Sequence, residues 1–186
     1  MKKIVLTFGL ISGALLSLLM VANMLFVERI GFDKGIIIGY TTMLVSFLLV
    51  FFGIRSYREN VGGGQISFGR AFSVGILIMF IACLCYILMW QILYSTVFPD
   101  FFEKYTAYEI EQLRASGATQ AVIDAQAEEM RKLGVLYQNP LIRAAFTFLE
   151  PLPIGLPVTL ISALILRRKN PKKDGDEEAG ELIQVA

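Results

Sequence analysis

The chain has 186 residues, of which 55% are hydrophobic and only 18% charged, with a formal net charge of +1 and a mean hydropathy of +0.62. Soluble domains carry about 25% charged residues, so this balance excludes a soluble globular enzyme, a disordered chain and a nucleic-acid binder, which needs a basic face. The absence of His excludes His-ligated zinc, Ser-His-Asp triads and His proton shuttles, and two cysteines cannot build a disulfide framework.

Ile4 to Val27 is free of charge over 24 positions. That is longer than the roughly 7–15-residue core of a signal peptide, so despite Lys2 and Lys3 it reads as a first membrane span. Gly35 to Ile54 is a second span, uncharged over 20 positions, and Ala71 to Phe98 a third, uncharged over 28. Each meets the ~20 apolar residues a bilayer core requires, and each is expected to be a helix, because a backbone in lipid must satisfy its own hydrogen bonds. The fourth candidate, 141 to 166, is less clean. It contains Arg143, Glu150, Pro151, Pro153 and Pro157. Pro151 removes an amide donor and pushes Glu150 away from helical geometry, so a kink or interruption is expected there. The fold class is therefore all-α: a four-helix transmembrane bundle over about residues 1–170.

Between the third and fourth spans, Pro99 to Pro140 carries seven acids and four bases. Residues 100–136 read as a helical hairpin. Gly117 ends its first helix and Thr119 opens the second, with Val122, Ile123, Ala127, Met130 and Leu133 near helical spacing. Lys2 and Lys3, Arg55, Arg58 and Arg70, and the basic cluster from Arg167 to Lys173 belong on one side by the positive-inside rule. Both termini are thus expected inside, with the hairpin outside as a cap. The acidic segment 171–186 is expected to be a solvated, disordered tail.

Few residues carry chemistry. Glu150, the only acidic residue inside a span, is the candidate intramembrane functional group, together with Pro151 and Pro153 of the interrupted segment. Asn23 and Gln91 are the other polar groups able to meet it. Arg55, Arg58 and Arg70, around the glycine-rich Gly62-Gly63-Gly64, form a candidate lipid-headgroup site, though no Walker ending follows. Gly9, Gly13, Gly35, Gly39 and Gly75 form small-residue faces that let helices approach closely. Cys83 and Cys85 lie about 200° apart on a helix and cannot share a metal. No cofactor and no catalytic set is expected. The partners anticipated are membrane lipids, an envelope protein and a second copy of the chain, with no nucleic acid.

Several segments are more specific in combination: Phe8 to Gly13, Gly39 to Met43, Phe52 to Arg58, Gly64 to Phe72, Pro99 to Phe101, Arg114 to Ala118 and Phe146 to Pro151. Together they resemble the bacterial integral membrane family of domain of unknown function 4199, over about residues 1–170. The resemblance implies a four-span inner-membrane protein of Gram-negative bacteria with no established activity. It places Glu150, Arg55 and Arg58 within its motifs. The sequence thus reads first as a non-enzymatic envelope scaffold or accessory subunit. The alternative is a small oligomeric carrier or lipid-handling protein that uses Glu150.

Overall fold

A computed structural model describes residues 1–168; the tail from 171 to 186 lies outside the described residues. Among these residues there are seven helices: α1 (Lys2–Ile30), α2 (Phe32–Asn60), α3 (Phe68–Thr96), α4 (Phe101–Ala115), α5 (Gln120–Tyr137), α6 (Pro140–Leu149) and α7 (Leu152–Leu166). The connections follow from local chemistry. Gly31, at φ +87°, turns α1 into α2 in one residue, a conformation glycine adopts without strain. Ser67 caps α3 by accepting from the Arg70 amide at 3.4 Å. Asn139 caps α6 through the Leu141 amide at 2.9 Å, with Pro140 at the first helical position. Gly117, at φ +78°, closes α4, and Ala118 returns its amide to Leu113. Thr119 stands at the expected N-cap of α5, but its side chain makes no capping bond.

α1, α2 and α3 are each long and apolar enough to cross a membrane. α6 and α7 pass the same test only as a pair, bent by 43° at the break. The fourth candidate is thus two half-helices, broken at Pro151 as expected, where the proline interrupts the hydrogen-bond ladder before α7.

The two ends of the bundle are well marked. At one end, Ile66 in the α2–α3 loop bridges Arg168, and Arg58 donates to the Leu166 carbonyl at 3.4 Å. At the other, Phe32 beside the Gly31 turn packs against Phe101, Tyr105 and Tyr108 of α4. α6 starts at the α4–α5 end and α7 finishes at the loop end, so the pair traverses the bundle.

α3 is the central helix and packs on α1, α2, α6 and α7, while α1 and α7 each pack on both α2 and α3. Glycines make these approaches possible. A methyl group at Gly9 would fall 2.8 Å from Ile81, at Gly13 2.7 Å from Cys85, at Gly75 2.7 Å from Thr159, and at Gly155 2.6 Å from Met79. Gly53 is equally tight against Ile78 and Phe8. Gly35 sits against Val27 at 2.8 Å. Gly39, expected to be a packing glycine, is not one: a methyl there meets only Asn23 Nδ2, at an ordinary 3.5 Å. Large apolar side chains face outward on every long helix, including Leu18, Leu48, Leu88 and Ile165. This is the distribution of a bundle whose solvent is hydrocarbon.

Overpacking at such sites costs about 1–3 kcal/mol. Gly75→Leu and Gly155→Leu are each expected to lower the thermal unfolding midpoint in mild detergent, whereas Gly39→Ala leaves it nearly unchanged.

Candidate functional site

At the α4–α5 end the helices part around a cavity of about 300 Å³. α1 contributes Leu16, Met20, Asn23, Met24 and Val27; α2 contributes Phe32, Gly35, Gly39, Tyr40 and Met43; α3 contributes Tyr86. Phe101 and Tyr105 of α4 close it from above, and Glu150 stands on its wall at the α6–α7 break. The Tyr86 hydroxyl donates to Glu150 Oε2 at 3.0 Å. Opposite, Asn23 is buried and donates through Nδ2 to the Gly35 carbonyl at 2.9 Å, while its Oδ1 has no partner. Of the three polar residues expected to meet, Asn23 and Glu150 share this cavity, and Gln91 does not. Tyr86 of α3 is the direct partner of Glu150.

Gln91 belongs to a second polar cluster, which fastens the α4–α5 pair to the bundle. Arg143 is only 5% exposed. It donates through Nε to Gln91 Oε1 at 2.6 Å and through Nη1 to the Tyr137 carbonyl at 3.3 Å, and lies 4.2 Å over the Tyr94 ring. Gln91 in turn donates to the Pro140 carbonyl at 2.6 Å, and Trp90 Nε1 donates to the Tyr137 hydroxyl at 2.8 Å. Arg143 and Glu150 stand seven residues apart, two turns along the chain. They do not pair, because each has its own partner on α3. The outward residues of α6 are apolar, with Leu141 81% and Leu149 58% exposed. α6 therefore turns its charge inward and its hydrocarbon outward, as a helix at membrane depth does.

The remaining candidates separate. Pro151 is buried at the start of α7, but Pro153 is exposed and lines a shallow outer notch with Leu149, Leu152, Leu156 and Pro157, away from the cavity. Arg55 is exposed and pairs with Glu59 at 2.9 Å, Arg70 is exposed, and Arg58 turns inward to the end of α7. The glycine loop is not a phosphate cradle. The amides of Gly62, Gly64 and Gln65 donate to Tyr57, Arg58 and Gly62 carbonyls, closing the turn on itself. Cys83 is buried and Cys85 packs against Gly13. Among the described residues no group of three or more His, Cys, Asp or Glu side chains is placed to hold a metal.

Outside the spans, charges are local. Arg131 holds the Glu128 carboxyl down to about 2 through paired bonds at 2.8 and 2.9 Å. Burial and a hydrogen bond to Glu109 push the Tyr105 phenol up to about 12. Tyr108, hydrogen-bonded to Asp33, is also raised. Both phenols thus stay protonated at neutral pH, and Tyr108 ties α4 to the start of α2.

Three long apolar helices, a bent helix pair that together is as apolar and as long, and polar side chains turned to one another mark a helical membrane protein. Residues 7–168 match the family described as protein of unknown function (DUF4199), and the chain belongs to it. No curated protein and no solved structure matches the chain.

A hydrogen bond to a buried charge is worth about 1.5–3 kcal/mol. Gln91→Leu strips Arg143 of its side-chain acceptor and is expected to destabilise the chain by about 2 kcal/mol. It should also speed amide hydrogen exchange across residues 134–143 more than in α1.

Proposed function

We propose that the chain is a non-enzymatic, multi-pass protein of the bacterial inner membrane that binds a small amphiphilic molecule between its helices, as a lipid-handling protein does. Both termini are cytoplasmic in this reading and the α4–α5 hairpin lies outside. The observation that carries the binding role is the cavity itself. It is apolar over most of its wall, lies at the small end of the ~300–1,000 Å³ range of ligand pockets, and holds a few convergent polar groups, Glu150, Tyr86 and Asn23. Ionisable groups at membrane depth are expensive and usually functional. The bases at the loop end and the net acidic hairpin support the orientation.

A second reading is an accessory or scaffold subunit of the envelope. Its support is a cleft of about 650 Å³ on the α4–α5 side, lined by Phe102, Glu103, Met130, Arg131 and Gly134. It is open enough to receive a partner segment. A second copy of the chain is the third expected companion, because one four-helix chain encloses little space.

Native mass spectrometry of gently extracted protein tests the binding role. A reproducible small adduct is expected at one per chain and should vanish in Gly39→Leu, whose side chain would grow into the cavity. A stoichiometric protein partner with no adduct would favour the accessory reading instead. For orientation, an impermeant maleimide on intact spheroplasts should label Ser116→Cys in the hairpin and spare Asn60→Cys in the loop; the reverse pattern would invert it.

A further inference from the structure

The cavity's hydrogen-bond inventory narrows what it can hold. Its side-chain donors are mostly spent, the exposed Tyr40 hydroxyl alone being without a described partner. The Tyr86 hydroxyl serves Glu150, Asn23 Nδ2 serves the Gly35 carbonyl, Thr42 donates to the Gly39 carbonyl at 2.8 Å, and Tyr105 is engaged with Glu109. Its acceptors are in surplus. Asn23 Oδ1 is buried with no partner, and the Glu150 carboxylate receives one bond, from Tyr86. A buried acceptor left unmet costs about 1–3 kcal/mol, so a complementary occupant brings donors. No Lys or Arg lines the wall, which carries a single acid. A phosphate, sulfate or carboxylate would find no counter-charge there. The rest of the lining is aromatic and sulfur-rich. Rings of Phe32, Tyr40 and Phe101 favour a cation over their faces, and Met20, Met24 and Met43 adapt to an irregular apolar body.

We propose that this cavity binds a lipophilic primary or secondary ammonium. Glu150 accepts from the charged nitrogen, Asn23 Oδ1 takes a second N–H, and the aromatic and methionine wall holds the apolar body. The proposal rests on the binding role above and adds its chemical class. The nitrogen belongs to a free amine or to an aminolipid head group. The absence of any cation for a lipid phosphate favours the free amine.

The test uses the full chain in phosphatidylglycerol nanodiscs, which contain no amine. Three probes of similar shape are titrated by calorimetry at pH 7: phenethylammonium, phenethyl alcohol and phenylpropionate. The ammonium is expected to bind about tenfold or more tightly than the alcohol, the propionate not at all. Glu150→Gln should bring ammonium and alcohol to parity, while Glu59→Gln, at the opposite end of the bundle, keeps the preference. Adding phosphatidylethanolamine separates the two sources: competition assigns the nitrogen to a head group, and unchanged binding assigns it to a free amine. Equal binding of ammonium and alcohol to the unaltered chain would overturn the ammonium class and leave the cavity's binding role standing. Tighter binding of the propionate would do the same. If no probe binds and native mass spectrometry shows no adduct, both the class and the binding role fall.

Discussion

The structure depends on one constraint: a polar side chain at membrane depth has only other protein groups to bond with. Two bonds made by α3 answer it. Gln91 accepts from Arg143, and Tyr86 donates to Glu150, at 2.6 and 3.0 Å. Both partners sit on α6 and the break that follows it. α3 thus holds both ends of α6. It fixes the start through Arg143 and the Pro140 carbonyl, and the end through Glu150. Without these bonds α6 would present a charge to hydrocarbon, at a cost of about 2.5–3.5 kcal/mol even by the lower scale. The aromatic contacts of Trp90, Phe101 and Tyr137 then set the hairpin on the bundle's end.

The break at Pro151 has a second consequence. A continuous helix would carry Glu150 wherever its face turned. Ending α6 at Leu149 and restarting at Leu152, with a 43° bend, directs residue 150 toward Tyr86 and leaves Pro153 outside. The same break gives α7 its own close contacts with α2 and α3, through Gly155 against Met79 and Phe47. Proline acts here as a structural switch of direction, and the carboxylate is the residue whose position that switch determines.

Much of this was legible in the sequence. Three uncharged runs, the hairpin break at Gly117 and the interruption at Pro151 are local signals, set by hydropathy and by backbone chemistry, and they stand where expected. The small-residue faces were legible in part. Gly9 and Gly13 oppose α3, but Gly53 and Gly155 belong to no spaced pair and emerge only when the helices are packed. The Tyr86–Glu150 and Gln91–Arg143 pairs were not legible, because their partners are 64 and 52 residues apart and nothing local marks a tyrosine or glutamine as a partner. At the glycine loop, the amides of Gly62, Gly64 and Gln65 bond to the carbonyls of Tyr57, Arg58 and Gly62, which long-range packing does not decide.

The distribution of close contacts also bears on what a single chain can do. Gly9, Gly13, Gly53, Gly75 and Gly155 bring the helices together through the loop half and the middle of the bundle, with no room for one methyl group. The cavity starts only where that packing ends, at Leu16 and Met43, and runs toward the hairpin. It is therefore a pocket closed at the loop end, with a roof of Phe101 and Tyr105. Passage across the membrane through one chain would require separating helices at their tightest contacts, which argues against a through-path. Access from the hairpin end requires that α4 lift from Phe32, Trp90 and Tyr137, contacts of rings and one Tyr108–Asp33 bond.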